Sequence, residues 1–214
     1  MKLAIVLFNL GGPDSLEAVE PFLFNLFSDR AIIRLPWLFR LPLAWLIARR
    51  RAPIAKKIYA HIGGRSPILE ETEGQARALV EKLSTPDMEV RAFVAMRYWS
   101  PFSGDVVPAV KAFSPDRIVV LPLYPQFSTT TTASSFLDWD RAARKAGLTR
   151  PAAKVCCYPQ EPGFIEAAAG RIRAAMQNLR PGLSYRLLLS AHGLPQRVVA
   201  GGDPYQWQVE RTAQ

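Results

Sequence analysis

Leu3-Ala4-Ile5-Val6-Leu7-Phe8-Asn9, followed by Leu10-Gly11-Gly12-Pro13-Asp14-Ser15, decides the fold. The first run is apolar and rich in β-formers, as expected of a strand buried on both faces. The glycines and proline then break it, and Pro-Asp-Ser supplies a start signal for a helix over 15–27. It is a first strand, not a signal peptide, because no small-residue cleavage site follows the apolar run. Working outward, further strands are predicted at 89–95, 117–123, 154–158 and 185–191. Helices are predicted at 69–83, 105–113, 134–146 and 163–179. Alternation of this kind forces crossover connections and parallel strands, so the expected fold class is α/β, a doubly wound parallel sheet with helices on both faces.

With 214 residues, 49% of them hydrophobic, the chain has enough apolar material for one large domain or two small ones. A net charge of +9 points to an anionic partner, either a nucleic acid, a lipid surface or an acidic small molecule. Nucleic acid is the poorest of these: no recognition helix or RNP-type motif is present, and the aromatic residues gather in an apolar stretch. The two cysteines, Cys156 and Cys157, are adjacent, which suits neither a C-x-x-C metal pair nor a loop-closing disulfide. A reducing, cytoplasmic compartment is expected. No apolar run reaches the roughly 20 residues a bilayer-spanning helix needs.

Residues 31–58 depart from the alternation. Trp37, Leu38, Phe39, Leu41, Leu43, Trp45 and Leu46 stand beside Arg34, Arg40, Arg49, Arg50, Arg51, Lys56 and Lys57. Two readings compete: a helix packed on the core with its cations in water, or a lip for a large flat apolar ligand with acidic edges, also a candidate for peripheral membrane contact. Three consecutive arginines favour carboxylates, which guanidinium grips through paired hydrogen bonds.

The unusual residues fall where strands end. Asn9–Pro13 follows the first strand, Arg97-Tyr98-Trp99 the second, Tyr124–Ser135 the third and His192 the last. In a parallel sheet these loops gather at one edge, where ligands bind. Plainer readings stand beside each. The Gly11-Gly12 turn lacks both G-x-G-x-x-G and a P-loop lysine, so it is better read as a tight turn than as a nucleotide site. The hydroxyl-rich 126–135 loop can be a helix cap without chemistry, and no G-x-S-x-G elbow marks a serine hydrolase. A lone histidine is commonly one satisfied by backbone.

Taken together, Asn9-Leu-Gly-Gly-Pro-Asp-Ser, Asn25-Leu-Phe-Ser-Asp-Arg, Ile62-Gly-Gly-Arg-Ser-Pro-Ile, Ala95-Met-Arg-Tyr-Trp, Leu121-Pro-Leu-Tyr-Pro-Gln-Phe-Ser, Ser190-Ala-His-Gly-Leu-Pro and Gly202-Asp-Pro-Tyr closely resemble the ferrochelatases. The resemblance implies a chelatase-like fold of two similar Rossmann-like halves, here a first domain over 1–125 and an incomplete second over 126–214. It implies insertion of ferrous iron into protoporphyrin IX to give protohaem, the last step of haem biosynthesis. His192 would be the catalytic base, the metal ligand, or both. Arg50, Arg51, Tyr59, Ser66, Arg97, Tyr98 and Leu10 would meet the porphyrin. Iron enters as substrate, no prosthetic group is expected, and Thr129 stands where animal members carry a cysteine for an iron–sulfur cluster, so no cluster is expected. Arg65 replaces a common glycine. The family continues beyond the Asp-Pro-Tyr block and carries there a glutamate facing the histidine. The chain is therefore expected to be a fragment, and the alternative function is a non-catalytic tetrapyrrole-binding piece lacking that glutamate.

Overall fold

The structure, a computed structural model, describes residues 1–180 and 182–214. Strands β1 (Lys2–Asn9), β2 (Glu89–Met96), β3 (Arg117–Pro122) and β4 (Ala152–Lys154) form one sheet in the order β2-β1-β3-β4. Every pairing is parallel. The first strand is central, which explains why it reads as continuously apolar: Ala4 through Phe8 are all buried.

Helices close both faces. Helix α3 (Ile68–Leu83) lays Ala76, Leu79 and Val80 on Ile5, Leu7 and Val90. On the other face α4 (Ser103–Phe113) and α5 (Thr132–Lys145) bring Val107, Val110, Phe136 and Trp139 onto Val6, Phe8 and Val120. This three-layer arrangement is the expected doubly wound α/β class. Helix α1 (Val19–Ser28) packs against the long α2 (Trp37–His61).

The chain divides into two compact units. The first comprises Met1–Leu123 with Thr129–Val155, and so includes residues beyond the expected boundary at 125. The second comprises Tyr124–Ser128 with Cys156–Gln214 and carries α6 (Pro162–Met176), α7 (Gln196–Ala200) and α8 (Tyr205–Ala213). Within it Gln208 accepts from the Phe127 amide at 2.7 Å, Ser128 donates to Asp203 at 2.9 Å and Thr212 donates to the Pro159 carbonyl at 2.7 Å.

Two strand expectations need correction. The fourth strand pairs at Ala152–Lys154, not at 154–158, because the register with Ile118–Val120 ends there. No strand forms over 185–191: the described residues of the second unit contain only helices and irregular chain, so Leu187 to Leu189 have no neighbouring strand to bond, and Leu188 is 82% exposed.

Candidate functional site

The ends of β1 and β2 build the first part of the site. Their parallel pairing continues past the strands, with the Arg97 amide donating to the Asn9 carbonyl at 2.9 Å and the Tyr98 amide to the Leu10 carbonyl at 2.9 Å. Asn9 fixes the turn from both ends of its amide: its Oδ1 accepts from the Leu10 amide at 2.9 Å, and its Nδ2 donates to Thr72 Oγ1 at 3.0 Å. Gly11 has φ +82°, and a Cβ there would stand 3.0 Å from the Trp99 amide nitrogen. Only glycine takes that conformation and approach without strain. A Cβ at Gly12 would collide with the Ser66 side chain, and the Ser66 amide donates to the Pro13 carbonyl at 2.8 Å. Leu10 and Ser66 are thus brought to one turn. Tyr59, in the last turns of α2, joins the same loop through its carbonyl, which accepts from the Gly64 amide at 2.8 Å, and burial pushes its phenol pKa up.

The second part centres on Asp29, just past α1. Arg97 donates to it through Nη2 at 2.8 Å, Tyr98 through its hydroxyl at 2.9 Å, the Ala31 amide at 2.9 Å, and the Ser134 hydroxyl as well. Arg97 Nε also donates to Ser134 Oγ at 2.7 Å. The Asp29 side chain is 8% exposed and that of Arg97 18%. Burial alone would raise the Asp29 pKa. The Ser134 and Ala31 donors, the Arg97 charge and the Tyr98 hydroxyl outweigh it and hold the carboxyl below its ordinary value. Tyr98 is buried beside this carboxylate, and both the burial and the negative charge push its phenol far up. It remains a hydrogen-bond donor.

Asp29 is the residue that the sequence reading missed. A strand-end arginine buried at a sheet edge needs an anion, but no local spacing says which carboxylate is that anion. The Asn25-Leu-Phe-Ser-Asp-Arg block contains it, and Asn25 Nδ2 also ties α1 to the Tyr98 carbonyl at 3.1 Å.

Over this network opens a cleft of about 960 Å³, lined in part by Arg34, Trp37, Arg40, Arg97, Leu137 and Arg141. It combines apolar wall and guanidinium groups within the first unit. Of the residues expected to meet a ligand, Arg97 is the one that lines it. Arg50 and Arg51 are exposed on α2, where Arg51 lies over the Phe27 ring at 5.9 Å. The helix buries Ala44, Ala48 and Ala52, a small-residue stripe at four-residue spacing, and leaves its bulky residues outside. Trp37 is 63% and Phe39 67% exposed. The lip is therefore a helix that packs through small residues and leaves its largest apolar side chains exposed.

His192 lies in the second unit, exposed, in irregular chain ahead of α7. No strand delivers it to a sheet edge as expected, since 185–191 is irregular chain. His61, the other histidine, is exposed at the end of α2. Among the described residues no group of three or more His, Cys, Asp or Glu side chains is placed to hold a metal ion. Cys157 Sγ donates to Cys156 Sγ at 3.4 Å, and partial burial together with this neighbour pushes the Cys156 thiol up to about 11. Because the thiolate is the nucleophile, iodoacetamide alkylation of Cys156, followed by peptide mass spectrometry, is expected to be slow near pH 8 and still accelerating above about pH 9. Saturation near the usual thiol value of about 8.5 would contradict this environment.

Comparison with known proteins places these features in a family. The family model described as ferrochelatase matches residues 2–214. A protein named ferrochelatase from Phenylobacterium zucineum is 57% identical over 215 residues, covering 100% of this chain and 62% of that protein. Those from Caulobacter vibrioides and Pelagibacter ubique are 54% and 48% identical, each covering 99% of this chain and 61% of the relative. The chain thus spans about three fifths of the length of these curated relatives, and it belongs to the ferrochelatase family.

Proposed function

We propose that this chain works as a ferrochelatase, inserting ferrous iron into protoporphyrin IX with release of two protons to give protohaem. The observation that carries the reading is the family match over residues 2–214. The geometry agrees with it in kind: a porphyrin offers a broad apolar face to Trp37, Leu38 and Phe39, and propionates to cations such as Arg50 and Arg51. Leu10, Tyr59 and Ser66 at the β1 turn, with Arg97 and Tyr98 at the β2 end, are the proposed porphyrin contacts. The two pyrrole N–H protons must leave before four nitrogens can bind iron, and His192 is the proposed base and metal ligand. Binding energy from the propionates and the apolar face can be spent on bending the macrocycle, which exposes the nitrogen lone pairs to the metal.

No helix among the described residues is long and apolar enough to cross a membrane. We place the protein in the cytoplasm, with the exposed apolar lip of α2 and its basic rim available for peripheral contact with a lipid surface. Iron is substrate rather than a resident cofactor, and Thr129 at the cluster-cysteine position supports a protein without an iron–sulfur cluster. Porphyrin titration followed by Soret absorption and fluorescence tests the binding half of the reading. Saturable binding is expected, and the Arg50→Glu, Arg51→Glu double variant should raise Kd about tenfold, the loss of roughly one charge-assisted contact. Absence of saturable binding by the unaltered chain would overturn the reading.

A further inference from the structure

We infer that Asp29 is the positioning residue of the porphyrin site, fixing the direction from which Arg97 meets the tetrapyrrole, with Tyr98 buttressing it from the buried side; this rests on the function proposed above. Asp29 is an acceptor shared by three segments: the end of β2 through Arg97 and Tyr98, the start of α5 through Ser134, and the chain leaving α1 through the Ala31 amide. A guanidinium on a long flexible stem has many rotamers. Here Nη2 is held by Asp29 and Nε by Ser134, so two edges of the fork are tied and Nη1 is left, 3.8 Å from Asp138, on the side chain that lines the cleft. The charge balance has the same consequence. Arg97 does not enter the cleft as an uncompensated cation that would close on any nearby anion; its charge is offset by Asp29 at 2.8 Å and by Asp138 at 3.8 Å, both at the cleft wall. Tyr98, donating to the same oxygen, Oδ2, is locked with its ring beside the Arg97 guanidinium, 5.0 Å from centroid to Cζ. A purely structural ion pair would hold the fold equally well facing bulk water. This one faces the cleft, which both of its members line.

The test is a double-mutant cycle on porphyrin affinity in the full chain, using Asp29→Asn, Arg97→Leu and the combination, with melting temperatures measured so that affinities are read where every variant is folded. Each single change is expected to raise the protoporphyrin Kd about tenfold, and the pair to do no worse than either alone, since groups that act as a unit are non-additive. Asp29→Glu, which keeps the charge, should recover part of the loss. Should Asp29→Asn fail to fold, Ser134→Ala takes its place in the cycle. It removes the hydroxyl that joins Arg97 to Asp29 and should raise Kd about threefold, again without adding to Arg97→Leu. Lower stability with unchanged Kd, or effects that simply add, overturns the inference while leaving the proposed function intact. Failure of the unaltered chain to bind porphyrin overturns both.

Discussion

Replacing Trp139 with alanine is expected to destabilise the first unit by about 3–5 kcal/mol, the range for deleting a large aromatic side chain from a close-packed core. Trp139 is 1% exposed and stands at the centre of the cluster under α4 and α5. Its ring meets Phe8 at 6.0 Å between centroids, tilted by 53°, and Phe136 meets the same Phe8 ring from the same helix, also at 6.0 Å. Phe8 is the last apolar residue of β1, and the turn that follows it carries Leu10 and Gly11. A cavity at Trp139 therefore lies beneath the turn that positions the site. Urea unfolding followed by far-UV circular dichroism should show the midpoint falling with little change in slope. Trp139→Phe, which leaves a smaller void, should cost markedly less. A loss under about 1 kcal/mol for the alanine variant would mean that the two helices do not close this face of the sheet as described.

The sheet was legible in the sequence where burial on both faces leaves a continuous apolar run, as in Leu3–Phe8 and Ile118–Leu121, and where helices carry one apolar stripe, as α3 does with Ala76, Leu79 and Val80. The short fourth strand was misplaced because Ala152-Ala153-Lys154 has little strand character of its own; the register with β3 decides it, not propensity. The run over 185–191 has strong strand character but no partner strand among the described residues, so composition alone misled. In α2 the bulky residues left a packed face and an exposed lip both open; the helix packs through alanines and leaves Trp37 and Phe39 exposed, and Pro42 and Pro53 interrupt the pattern further. At the site, Arg97 and Tyr98 were legible because they leave a strand. Asp29 was not, because its partners lie 68, 69 and 105 residues away, and no local spacing encodes that pairing.

His192→Ala is the second large expected effect. If an imidazole accepts the pyrrole protons or holds the incoming iron, its removal should slow metallation by about 10²–10⁴-fold, the usual worth of a positioned acid–base group. Porphyrin affinity should change little, because the contacts proposed for the macrocycle's face and propionates belong to other residues. The exposed position of His192 gives the prediction a structural control: truncating a solvent-exposed side chain should leave the melting temperature within a degree or two. A rate loss that merely tracks a loss of folded protein would remove the assignment.

The most direct measurement is anaerobic iron insertion: this chain mixed with protoporphyrin IX and ferrous iron, with haem formation followed by absorption beside a protein-free blank and the His192→Ala variant. The account predicts haem forming faster than in the blank, with the gain lost in the variant; porphyrin that binds the chain but gains iron no faster than the blank would contradict it, leaving a tetrapyrrole-binding protein without the chelatase step.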